Sequence, residues 1–151
     1  MISYQVEKLE ECLDEMKPLF DKHWEEVAWY QDVIDFNPDY DKYYQVEAIG
    51  MLHIVTVRDD GELIGYNINF INTHLHYSDH KYAVNDIIFL KPEHRHASIA
   101  IKLMSYTEKQ LKDVGVSVMT MHMKVDHPFK SLMEHLDFTP QEYLYSKLIG
   151  E

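Results

Sequence analysis

IIFLKPEHRHASIA, residues 87–100, decides the fold because an apolar strand, a proline and the start of a long amphipathic helix follow one another directly. Pro92 ends the strand AVNDIIFL, and apolar residues at helical spacing run from Ser98 to a stop at Gly115. A loop between a strand and a helix directs unpaired backbone N–H groups at one point, where phosphate is attracted. The stretch predicts an anion-binding turn, although it lacks the glycine that would allow close approach and positive φ.

The side chains of this loop favour the same interpretation. Arg95 and His96 carry charge, Ser98 offers a hydroxyl donor, and the small Ala97 and Ala100 let a ligand approach the backbone. The alternative is a polar strand-to-helix turn that binds nothing, because short motifs often match by chance.

The remaining sequence predicts one α/β domain over residues 1–151, in the order β, α, α, β, β, β, α, β, α, β, with a mixed sheet. Asp59-Asp60-Gly61-Glu62 predicts a tight hairpin turn. We expect a helix break near Pro18, and one or two closing strands in residues 138–149.

Composition limits the classes of function. The net charge of −12 disfavours nucleic acid as a partner and suits either a cationic partner or plain solubility. No apolar run approaches the roughly 20 residues of a membrane span, and no signal peptide is visible, so we expect no membrane partner. The single cysteine, Cys12, permits no internal disulfide and fits a cytoplasmic location.

The quoted stretch resembles the signature of the GNAT family of acetyl-CoA-dependent N-acetyltransferases, in which a strand and a proline precede Arg-x-x-Gly-x-Gly/Ala. Arg95 stands first, Ser98 stands where the first glycine falls, and Ala100 stands at the last position. DGELIGY (60–66), DHPFKSLMEHLDF (126–138) and EYLYSKLI (142–149) also resemble segments of that family. HLHY (74–77) resembles a stretch in small phage-encoded members.

The resemblance implies a mixed, mostly antiparallel sheet flanked by about four helices, and acetyl-CoA as co-substrate. It implies pantetheine binding and carbonyl polarisation by the backbone of Ile88, Phe89 and Leu90. It implies pyrophosphate binding by Arg95, His96, Ala97, Ser98, Ile99 and Ala100.

This sequence departs from the family pattern at several positions. His96 replaces a glycine after the arginine, and Asp137 replaces one near the end of the chain. Met133 stands where many members have a tyrosine that protonates the leaving thiolate.

Asp86 is the candidate general base, because alternation places it on one strand face with Ile88 and Leu90, where an apolar surrounding raises a carboxyl pKa. The alternative is a strand-end acid bonded to backbone or to a neighbour. His74 and His76 share a face of an extended segment. They are either proton acceptors that assist Asp86 or a metal pair needing Asp86 or His122 as a third ligand; we expect no metal.

The sequence therefore predicts direct attack of an amine, expected to be cationic, in a ternary complex, since Cys12 lies in the first helix. Two alternatives are a binding module with a degraded cofactor site and an acidic protein that mimics nucleic acid. The strand-forming residues at the end of the chain also suggest a homodimer.

Overall fold

The computed structural model describes residues 1–150 and contains one five-stranded sheet in the order β1-β2-β3-β4-β5. Neighbouring strands are antiparallel except β4 and β5, which are parallel. The strands are β1 (Ile2–Val6), β2 (Leu52–Asp59), β3 (Glu62–His74), β4 (Tyr77–Leu90) and β5 (Val116–Thr120). The helices are α1 (Leu9–Val27), α2 (Tyr40–Ala48), α3 (Ala97–Asp113) and α4 (Lys130–His135). The predicted fold class, a mixed and mostly antiparallel sheet with four helices, is confirmed.

Two hydrophobic clusters lie on opposite faces of the sheet. On one face, Leu13, Met16 and Phe20 of α1 pack against residues such as Tyr66 and Phe89, with Tyr40 and Tyr43 of α2 beside them. On the other face, Ile99 and Leu103 of α3 pack against Val55, Val57 and Ile64. The apolar strands are thereby packed between helices on both faces of the sheet.

Local turn chemistry agrees with the sequence at the β2–β3 hairpin, where Asp60 and Gly61 both have positive φ (47° and 88°). The expected break at Pro18 is wrong, because α1 continues through it. The flanking side chains of Met16, Leu19 and Phe20 are buried, and this packing offsets the one backbone bond that proline cannot donate.

The predicted closing strands are also absent. Residues 139–150 form no regular element, and Tyr143, Leu144 and Tyr145 are 88–95% exposed. A strand needs a partner strand for its backbone groups. This segment instead contacts the connection between α1 and α2 through a hydrogen bond between the side chains of Ser146 and Tyr30.

The polar segment 72–82 lengthens the β3–β4 hairpin. No helix of residues 1–150 is both long enough and apolar enough to cross a membrane.

Candidate active site

The sheet opens between β4 and β5. β5 pairs with β4 only from Lys81 to Val84 and ends at Thr120. Within the described part of the chain, no strand lies beside the outer edge of β4 from Asn85 to Leu90. This edge presents backbone N–H and C=O groups that an extended, amide-containing ligand can bind as a partner strand would.

An irregularity in β4 lies where the opening begins. Ile87 pairs with Ile68 and Asn85 pairs with Asn69, so Asp86 is an extra residue, a β-bulge. The bulge reverses the expected alternation. Asp86 bonds to α2 on the face of the α1 and α2 helices, whereas Ile88 and Leu90 pack against the α3 face. The expectation that Asp86 shares a face with Ile88 and Leu90 is therefore wrong, because the inserted residue shifts the side-chain period by one.

Asn85 continues this irregular region into the core. Its amide donates to the Asn67 side chain at 2.7 Å, and Asn67 in turn donates to Thr107 of α3 at 3.3 Å. Asn67, Asn85 and Thr107 are all buried, so the network fixes the bulge to α3 through satisfied hydrogen bonds.

A cavity of about 260 Å³ lies at the opening. Its walls come from α1, the α1–α2 connection, β4 and the chain after β5. The lining residues are Phe20, His23, Trp24, Val27, Phe36, Asn85, Asp86, Ile87, Ile88, His122, Met123, Lys124, His127 and Phe129.

Asp86 is the carboxylate of this cavity, and the hydroxyl of Tyr43 donates a hydrogen bond to its Oδ2. Burial raises the pKa of Asp86, while the Tyr43 hydrogen bond and the nearby His122 act in the opposite direction. Burial, followed by the bond to Asp86, raises the pKa of Tyr43 itself. Tyr43 therefore stays protonated and donates a hydrogen bond that orients the Asp86 carboxylate.

His23 is a functional candidate that sequence reasoning missed. It lies in α1 with its ring 5.3 Å from the ring of Phe89 and lines the cavity. Burial is the main reason that its pKa is lowered, so its imidazole is neutral at pH 7. The sequence feature that could have indicated it is a histidine between Phe20 and Trp24 on the apolar face of the helix. A histidine in such a position more often has a structural role than a catalytic one.

Two of the predicted catalytic residues lie away from the cavity. His74 and His76 stand at the tip of the β3–β4 hairpin, where the His74 ring lies 4.6 Å from that of Tyr82, and neither lines the cavity. His122 does line it. Met133 is buried in the core. No cluster of three or more potential metal ligands occurs in residues 1–150.

Arg95 joins the loop to its surroundings. Its Nη2 atom donates to both carboxylate oxygens of Glu26 at 3.0 and 2.8 Å, and its Nε donates to the Leu90 carbonyl at 2.9 Å. The guanidinium also lies 5.5 Å from the centre of the Phe89 ring. The arginine therefore connects the end of α1, the end of β4 and the start of α3.

The head of α3 follows directly and carries no side-chain cap. His96 accepts the first helical bonds from Ile99 and Ala100, so the exposed amides of Ala97 and Ser98 precede the hydrogen-bonded ladder. Ile99 turns its side chain into the core, and its amide is already bonded to the His96 carbonyl. These amides and the open edge of β4 fit the phosphate and pantetheine parts of acetyl-CoA.

The missing glycines have a conformational explanation. Every residue with positive φ in the described chain lies outside the loop, and Arg95 and His96 have φ of −77° and −95°. The loop thus needs no glycine conformation. Asp137, in contrast, has φ of 61° at the position where the family pattern has glycine, and aspartate tolerates this region better than most residues.

The model of the acetyltransferase (GNAT) family matches residues 9–138. The chain therefore belongs to the GNAT acetyltransferase family. It is an acyltransferase, and acetyl-CoA is its co-substrate. No curated protein matches the sequence.

Solved structures share the fold at low identity. A ribosomal-protein-alanine N-acetyltransferase from Brucella melitensis superposes with a TM-score of 0.74 at 16% identity, covering 99% of this chain and 100% of the other. An aminoglycoside acetyltransferase from an uncultured soil metagenomic sample, in complex with sisomicin, gives 0.76 at 12% identity, covering 99% and 96%. A predicted acetyltransferase with acetyl-CoA from Clostridium acetobutylicum gives 0.67 at 13%, covering 97% and 96%.

Proposed function

We propose that this chain transfers the acetyl group of acetyl-CoA to a primary amine by direct attack in a ternary complex. The observation that carries the proposal is the position of Asp86, a partly buried carboxylate on the bulge where β4 parts from β5. A base at this point lies beside the strand edge proposed to hold the thioester.

Co-substrate binding is assigned to two backbone surfaces. The outer edge of β4 binds the pantetheine arm through the backbone groups of Ile88 and Leu90, and its N–H groups polarise the acetyl carbonyl. Phe89 lies between them with its carbonyl facing Gly65 of β3. The loop from Arg95 to Ala100 binds the pyrophosphate, chiefly through the amides of Ala97 and Ser98. Arg95 acts by holding this loop against Glu26 and β4, as its three hydrogen bonds support.

Proton transfer is assigned to Asp86. Most amines are protonated near pH 7, since a lysine-like amine has a pKa near 10.4. The Asp86 carboxylate takes one proton from the ammonium, the nitrogen bonds to the carbonyl carbon, and the C–S bond breaks. The leaving thiolate takes the second proton that the nitrogen loses on becoming an amide.

Direct attack is supported by the state of the only thiol. Cys12 is buried in α1, and burial raises its pKa to about 12. It does not line the cavity, so no acyl-cysteine intermediate is invoked.

The proposal extends to a cytoplasmic location, supported by the single cysteine, and to a phage-encoded origin, supported by the resemblance of residues 74–77. It also includes a homodimer, supported by the exposed apolar side chains of residues 143–149.

Two measurements test the activity. Acetyl-CoA at 100 times its dissociation constant should stabilise the protein by about 2.7 kcal/mol in thermal unfolding. Release of free coenzyme A should then depend on an added primary amine and should fall at least about 100-fold in Asp86→Asn. Stabilisation without any amine-dependent release would contradict the proposal.

A further inference from the structure

The charge of the cavity differs from that of the whole chain. The chain carries −12, yet Asp86 is the only carboxylate among the cavity-lining residues. The same walls carry Lys124 and three imidazoles, those of His23, His122 and His127. One carboxylate can pair with one ammonium group, whereas further positive charges on an acceptor would meet Lys124 without a partner in the cavity.

The other cavity-lining side chains are mostly aromatic and aliphatic. Trp24 stacks on Phe36 with ring centres 5.7 Å apart. Val27, Ile87 and Phe129 extend this surface. This apolar surface favours an apolar body, because hydroxyl groups packed against it would lose their bound water without a replacement hydrogen bond.

The cavity is also small. Its volume of about 260 Å³ lies below the roughly 300–1,000 Å³ of pockets for drug-sized ligands. The thioester end of the co-substrate, bound along β4, takes part of the same space. The enclosed space that remains fits one ring or a short aliphatic chain, and a larger acceptor would extend from it into solvent.

From these three observations we infer that the acceptor is a small primary monoamine with an apolar body, whose ammonium group pairs with Asp86 and whose body packs on Trp24 and Phe36. This inference rests on the proposed function and narrows its acceptor. It replaces the general expectation of a cationic acceptor by an acceptor with a single positive charge.

A comparison of four acceptor amines tests the inference. Coenzyme A release is measured with acetyl-CoA and each of four amines: 2-phenylethylamine and hexylamine as apolar monoamines, glucosamine as a polar monoamine, and spermidine as a polycation. We expect kcat/KM for the two apolar amines to exceed that for the other two by on the order of 100-fold.

Variants locate the acceptor. Trp24→Ala should raise the KM for 2-phenylethylamine roughly tenfold, while the affinity for acetyl-CoA changes little. Trp29→Ala is the matched control, because Trp29 is 46% exposed and does not line the cavity. This control should keep the wild-type KM. If Trp24→Ala folds poorly, Phe36→Leu is the second variant, with the same expected direction.

Failure of the inference and failure of the proposed function are distinguishable. Equal or faster acetylation of spermidine or glucosamine would overturn the inference and leave acetyl transfer to amines intact. An unchanged KM in both Trp24→Ala and Phe36→Leu would overturn it as well. Absence of transfer to every amine, together with absence of stabilisation by acetyl-CoA, would overturn both.

Discussion

Gly65→Ala tests whether the backbone of β4 holds the co-substrate. Gly65 lies on β3 directly opposite Leu90. A Cβ atom at this position would lie 2.5 Å from the Phe89 carbonyl oxygen and 2.5 Å from Leu90 Cδ2. Ordinary contacts begin at 3.4 Å, so the Phe89 backbone must move by about 0.9 Å.

This displacement has two expected consequences. Overpacking of this kind destabilises a protein by about 1–3 kcal/mol. A misplacement of about 1 Å in a positioned site costs on the order of 100-fold in rate. We therefore expect Gly65→Ala to fold with reduced stability, to bind acetyl-CoA much more weakly and to lose about 100-fold in kcat/KM.

Calorimetric titration of acetyl-CoA and steady-state kinetics measure these effects, once circular dichroism has established that the variant is folded. Gly61→Ala is the matched control: its φ of 88° makes alanine strained, but no atom lies within 4 Å of the added Cβ. It should lose about 1 kcal/mol of stability and keep its affinity. A destabilised Gly65→Ala with wild-type affinity and kcat/KM would refute the assignment of the β4 edge to the co-substrate.

Further predictions concern proton binding and the loop. Burial raises the pKa of Asp86 in the folded protein. The stability that this carboxyl group contributes is therefore fully present below the pKa it has in the unfolded chain, and it is lost as the pH rises through the pKa it has in the folded protein. In thermal unfolding, the stability of Asp86→Asn relative to that of the wild type should therefore increase as the pH rises. Burial lowers the pKa of His23, so the wild type should lose stability as pH falls below about 6.5, and His23→Gln should lessen that loss. In titrations, Ser98→Gly should keep the acetyl-CoA affinity within about twofold, whereas Arg95→Ala should weaken it roughly tenfold. Asp137→Gly should raise stability by about 1 kcal/mol, seen as a higher Tm.

Much of the fold follows from local sequence signals. The apolar run before Pro92, the amphipathic stripe of α3 and the Asp-Gly turn at residue 61 each indicate their element without tertiary information. Asp39 caps α2, because its side chain accepts a hydrogen bond from the Lys42 amide at 3.0 Å.

The site depends on features that one sequence does not show. The bulge at Asp86 is a mismatch in length between two paired strands, and neither strand alone carries a sign of it. The bond between Arg95 and Glu26 joins positions 69 residues apart, and the cavity position of His23 depends on how α1 packs on β4. The end of the chain illustrates the converse, because EYLYSKLI has strand composition but no strand partner in the described residues.

The most direct test of the central claim is an NMR titration of the protein with coenzyme A that follows the backbone amides. The largest shifts are expected at Ile88 on the open edge of β4 and at Ala97 and Ser98 at the head of α3. The amide of Leu75, at the exposed tip of the β3–β4 hairpin, should not move. Unchanged amides at all three expected positions under millimolar coenzyme A would contradict the account.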